Sequence, residues 1–188
     1  MRMVSQTEIR NALTPEIVRA MQIIYFALIA GVTGFFFVIV FVYMTGSGEA
    51  VATEQDVAMV DRLSIIHGFF LIACLAAANF FKKRLLSRER VESIHGQSSR
   101  EGSASVAGDY IAMIRTVKII IAAVMEAPAF FGLVVCFMAI QTGVIAEHPL
   151  YWINTISCFA FIAFMAREFP TKEKIMELFN TELKYLQG

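Results

Sequence analysis

The sequence predicts an all-α, polytopic membrane protein with four transmembrane helices and a C-terminal amphipathic helix. Three observations predict it. Residues 23–44, 63–81, 119–140 and 150–166 form four apolar runs in which Glu126 is the one Asp, Glu, Lys or Arg. At 1.5 Å per residue, about 20 residues cross a hydrocarbon core about 30 Å thick. Hydrophobic residues make up 57% of the chain and charged residues 17%, a balance that leaves more apolar surface than a soluble domain can bury. Fifteen of the 16 Lys and Arg residues fall in the segments before the first run, between the second and third, and after the fourth.

Taken in order, residues 1–86 make an N-terminal tail and a first transmembrane hairpin. The tail is polar over residues 1–19, too long for the basic start of a signal peptide, so the first span is expected to stay in the protein. Thr14-Pro15-Glu16 reads as its helix start. Thr14 can cap free backbone N–H groups, Pro15 has no N–H to leave unpaired, and Glu16 suits the positive end of the helix dipole. Residues 87–109, rich in Ser, Gly and charge, read as a mobile cytoplasmic linker with little to bury. Residues 110–169 form the second hairpin, with Tyr151 and Trp152 expected at a membrane interface. Residues 170–188 place Ile175, Leu178, Phe179, Leu183 and Leu186 on one helical face, as a cytoplasmic helix lying on the membrane or against a partner would.

The basic residues orient the chain. Lys82, Lys83, Arg84, Arg115 and Lys118 flank one side, with Arg115 and Lys118 at the membrane interface, while the two opposite loops hold only Arg62. By the positive-inside rule both termini are cytoplasmic, and the membrane is taken to be a bacterial inner membrane. A shift of 96 positions lays Arg19 on Arg115, Ala27 on Ala123, Phe35 on Phe131 and Phe41 on Phe137, the pattern that two tandem hairpins would leave. Small residues four apart, Ala27 with Gly31 and Ala30 with Gly34, would let helices approach closely.

Several function classes are disfavoured. Formal net charge is zero, so nothing points to a nucleic-acid partner. Cys74, Cys136 and Cys158 sit in apolar runs, and His67, His95 and His148 lie far from them and from one another, so neither a metal site nor a haem is expected. No loop gathers a nucleophile, base and orienting group, so no catalytic site and no cofactor is expected. His67 reads as an interfacial or packing residue near the outer end of its span, away from Glu126.

Glu126 is the candidate for chemistry. An ionised carboxylate costs at least about 2.5 kcal/mol in a helix centre, so such a residue faces a partner or a cavity, or keeps its proton. A carboxyl that keeps its proton in hydrocarbon is suited to load and unload one there. The alternative is a neutral structural carboxyl bonded to a neighbouring helix. Pro128, two residues on, lacks an N–H and is expected to bend or loosen the helix.

The run from Arg115 through Glu126-Ala127 to Phe131-Gly132-Leu133-Val134-Val135 resembles the carboxylate-bearing helix of the c subunit of rotary ATP synthases. Four spans are likewise similar to the duplicated proteolipids of vacuolar-type rotors, with Ala30 where a first repeat would carry its carboxylate. The resemblance implies a proton-handling membrane subunit with Glu126 as the reversible proton carrier and Ala127, Phe131 and Gly132 as its surroundings. The ion it implies is H⁺ rather than Na⁺, because Ala127 and Phe131 offer no oxygen ligands. Partners would be lipid and either further copies of the chain or other membrane subunits. The rival expectation is a noncatalytic scaffold or assembly subunit of a larger membrane complex.

Overall fold

The computed structural model describes residues 6–46, 51–87 and 106–182 of the chain. The fold is all-α: 91% helical, with no strand among the described residues. The helices are α1 (Gln6–Ala12), α2 (Pro15–Gly46), α3 (Glu54–Leu85), α4 (Val106–Gln141), α5 (Val144–Glu147), a 3₁₀ helix (Pro149–Thr155), α6 (Ile156–Arg167) and α7 (Lys172–Glu182). Four stretches are long and apolar enough to cross a membrane: α2, α3, α4, and the 3₁₀ helix joined to α6 over Pro149–Arg167. The molecule is therefore an integral membrane protein of the multi-pass α-helical class.

Local chemistry sets the helix starts. Threonines precede α2, α3 and α7: the carbonyl of Thr14 accepts from Val18 N–H, and those of Thr53 and Thr171 accept from Val57 and Ile175. Thr53 Oγ1 also accepts from Asp56 N–H at 3.2 Å while the Asp56 carboxylate accepts from Thr53 N–H at 3.0 Å, a reciprocal cap that satisfies donors on both sides. Thr171 Oγ1 accepts from Lys174 N–H at 3.3 Å in the same way. At the far end of α4 the chain turns through Gly143 with φ of 74°, a left-handed conformation that glycine adopts without a Cβ clash.

The chain forms two compact units, and α2, α3 and α4 each contribute a stretch to both. The first comprises Met1–Phe26, Ala78–Ala122 and Glu168–Gly188. Its core is Ile9 of α1, Leu13 just after it, Met21 of α2, Tyr110, Ile111, Met113, Ile114 and Val117 of α4, Leu86, and Ile175 and Phe179 of α7. The α4 residues recur at the three- and four-residue spacing of one helical face, and Ile175 and Phe179 are one turn apart on α7. Burying each such side chain contributes about 1.5–3 kcal/mol. The terminal helix is thus docked on the chain itself, and Ile175 and Phe179 do not lie on lipid or await a partner. Periodicity reports an apolar face without naming its cover, and here α1 and α4 supply it. Leu183 and Leu186 lie outside the described residues.

Also in this unit, Lys118 is buried and its Nζ pairs with the Glu168 carboxylate at 3.3 Å, while Arg115 is exposed. Tyr25 Oη donates to the Lys118 carbonyl at 3.4 Å and its ring meets Phe169 edge-on. The linker expected over residues 87–109 falls outside the description from 88 to 105, and its last four residues, from Val106, are the first turn of α4. The second unit comprises Ala27–Ala77 and Ala123–Arg167. It holds Glu126. The small residues Ala27, Ala30, Gly31 and Gly34 of α2 are exposed on it; a Cβ at Gly31 would lie 3.7 Å from the Phe130 ring of α4, and one at Gly34 would meet nothing within 4 Å.

Candidate functional site

The second unit contains a ladder of polar pairs between α3 and the final membrane segment. Asp61, Ser64 and His67 recur every third residue on α3, and Tyr151, Asn154 and Ser157 do the same across the 3₁₀ helix and the start of α6. A 3₁₀ helix has about three residues per turn, so Tyr151 and Asn154 come to lie above one another. Tyr151 Oη donates to Asp61 Oδ1 at 2.7 Å, Asn154 Nδ2 donates to Ser64 Oγ at 3.0 Å, and His67 Nε2 lies 3.1 Å from Ser157 Oγ. Both strings of residues run the same way, which keeps the pairs in step.

His67 forms the inner end of this ladder and is 5% exposed. Its Nδ1 lies 2.9 Å from Asn154 Oδ1 and its Nε2 lies 3.1 Å from the carbonyl oxygen of Pro128 on α4. Asn154 Nδ2 also donates to the Tyr151 carbonyl at 3.0 Å. That contact orients the amide, because only the nitrogen end can face a carbonyl. Ser157 Oγ–H is within reach of two acceptors, Pro128 O at 3.1 Å and Asn154 O at 3.0 Å.

Two residues of the expected site belong to this cluster. Phe131 meets the His67 ring edge-on, with centroids 5.9 Å apart. Gly132 is buried where a Cβ would come within 3.0 Å of Asn154 O, Ser157 Oγ and the His67 ring, so its lack of a side chain is what lets α3, α4 and α6 close on the histidine. Pro128 stays within a continuous α4, and its carbonyl takes part in the cluster.

Glu126 and Ala127 are both half-buried on the turn of α4 just before Pro128. Among the described residues the Glu126 carboxyl has no hydrogen-bond or ion-pair partner. Arg115 and Lys118 belong to the first unit and form no part of this cluster.

The packing alternative in the sequence reading of His67 holds, while its remoteness from Glu126 is corrected by these contacts. The ring is buried and bonded to three elements, and it touches the carbonyl two residues after Glu126. The relative depth of two helices depends on their packing offset, which neither sequence run contains. Ser64, Asn154 and Ser157 went unnoticed as well. The available signal was the three-residue recurrence of polar side chains in two otherwise apolar runs. Among the described residues no group of three or more His, Cys, Asp or Glu is placed to hold a metal ion. Comparison with protein-family models, with curated proteins and with solved structures returns no match to this chain.

Proposed function

We propose that this protein is a proton-handling subunit of the membrane, resembling a rotor-ring proteolipid, in which Glu126 carries a proton reversibly. The observation that supports this reading is the Glu126 carboxyl itself, half-buried on a membrane-crossing helix with no partner among the described residues. Hydrocarbon accepts the neutral carboxyl and resists the bare carboxylate, so a change of charge there requires a partner or water to arrive. Reversible loading follows from that requirement: the proton stays while the group faces apolar surroundings and leaves when a cation or water reaches it. Pro128 has no N–H for the Val124 carbonyl, which leaves the turn bearing Glu126 one helical bond short and easier to move.

The reading includes further copies or other membrane subunits as partners, both termini in the cytoplasm, and a bacterial inner membrane. The distribution of basic residues supports the sidedness. A second reading is a noncatalytic scaffold or assembly subunit, and the same carboxyl favours it, because a donor from a neighbouring subunit could bond an unpartnered Glu126. The oligomeric state in lipid separates them: a closed ring supports the rotor reading, and a mixed complex the scaffold.

The experiment is modification by dicyclohexylcarbodiimide, which reacts with protonated carboxyls in apolar sites. One adduct at Glu126, diminishing as pH rises and absent in Glu126→Gln, is expected. Glu126→Gln should also keep the fold and abolish proton uptake into vesicles containing the protein. Proton uptake equal to the parent's in that variant would overturn the reading.

A further inference from the structure

We propose that His67 is a proton-binding site in its own right, an imidazole that carries hydrogen on both ring nitrogens inside the membrane-spanning part of the protein. The argument is a count of donors and acceptors. Asn154 Nδ2 is committed to the Tyr151 carbonyl and Ser64 Oγ, so the oxygen of that amide faces His67. A carboxamide oxygen only accepts, and Nδ1, 2.9 Å away, must therefore carry hydrogen.

Nε2 faces the Pro128 carbonyl at 3.1 Å, which also only accepts. A ring with a single hydrogen, already used at Nδ1, would point its Nε2 lone pair at that carbonyl. Its remaining recourse is to accept from Ser157 Oγ–H, which then gives up its contacts with Pro128 O and Asn154 O. With a second hydrogen on Nε2 every group is satisfied: Nε2–H donates to Pro128 O, and Ser157 Oγ–H donates to Asn154 O. Such bonds from a charged donor are about twice as strong as neutral ones, which works against the cost of a cation away from water.

The surroundings are consistent with a single bound proton. Within the second unit, the titratable and charged side chains on the elements packed around His67 are Glu126 and Cys136 on α4, Tyr151 on the 3₁₀ helix, and Cys158 and Arg167 on α6, with Glu54, Asp56, Asp61, Arg62 and Cys74 on α3 itself. Asp61 accepts from the Tyr151 hydroxyl at the far end of the ladder, so this carboxylate is already bonded there. Gly132 closes the remaining side and leaves no room for a larger ligand against the ring. This site goes beyond the reading of Glu126 and does not rest on it.

The test is nitrogen NMR of the full chain, labelled with ¹⁵N-histidine, in lipid vesicles at about pH 6, slightly to the acid side of the ordinary imidazole midpoint of about 6.5. The His67 signals are assigned by their loss in His67→Gln. Hydrogen on both His67 nitrogens is expected in the parent and in Glu126→Gln, with loss of the second hydrogen in Asn154→Leu. A parent His67 with hydrogen on one nitrogen only would overturn the proposal, whether or not Asn154→Leu folds. Loss of the second hydrogen in Glu126→Gln would overturn it as an independent site, and leave the Glu126 proposal to its own labelling result.

Discussion

His67 and Ser157 are 90 residues apart in sequence and 3.1 Å apart in space, and the same offset of 90 joins Ser64 to Asn154 and Asp61 to Tyr151. Two segments that hold step over three pairs pack in parallel. Polar groups placed at every third position then meet polar groups on the other segment. In an apolar surrounding an unmatched polar group costs about 1–3 kcal/mol, so the register is strongly specified.

The close approach at Gly132 should be the most sensitive position in this packing. Gly132→Ala puts a Cβ against the Asn154 backbone, which cannot rotate away, and should destabilise the protein by about 1–3 kcal/mol. Gly68→Ala, where a Cβ meets nothing within 4 Å, should leave stability unchanged or slightly raised. Thermal unfolding in detergent reads both. Equal behaviour of the two variants would contradict the packing at Gly132.

Docking of α7 is expected to depend on Phe179, which is fully buried with Ile9, Leu13 and Ile175. Phe179→Ala should cost about 3–5 kcal/mol within the first unit and expose α1 to limited proteolysis. Glu177→Ala, at an exposed position on the same helix, should change stability by no more than about 0.5 kcal/mol. Removal of everything after Pro170 would uncover Ile9 and Leu13 together. An α1 as protected in the truncated chain as in the parent would rule out this docking.

Acid should loosen the start of α7. Glu173 lies in its first turn, where its own backbone N–H, then the Thr171 hydroxyl, and more weakly Lys172 and Arg10 hold its carboxyl below the usual carboxylate range. A group that binds protons less well folded than unfolded adds stability above its unfolded value, about 4.3. That contribution is lost as pH falls through the folded value. Protease susceptibility of α7 should therefore rise below about pH 4, and rise less in Glu173→Gln. An acid response identical in both proteins would exclude Glu173 as its source.

Sidedness is checked by single cysteines at exposed positions, since Cys74, Cys136 and Cys158 are buried. With Gln55→Cys and Thr181→Cys, both exposed, an impermeant maleimide should label the first from outside and the second from the cytoplasmic side only. The reverse pattern would invert the orientation drawn from the basic residues.

The four spans were legible in the sequence because hydrocarbon imposes a condition on each segment separately: about 20 apolar residues that satisfy their own backbone by coiling. The helix start at Thr14-Pro15 was legible for a similar reason, since a cap is made by neighbours in the chain. Glu126 stood out as a lone carboxyl, and Phe131 and Gly132 were picked out by resemblance, but not for the contacts they make. What only the tertiary structure decided was which faces meet. His67 reads alone as one polar residue in an apolar run, and it becomes a bonded centre because α4 and α6 bring Pro128 O, Asn154 and Ser157 to it. Ile175 and Phe179 read as a stripe awaiting a cover, and α1 and α4 provide it. Sequence periodicity records the chemistry of one face of a helix, whereas the partner of that face is set by offset and rotation between helices, which depend on the packing of all of them at once.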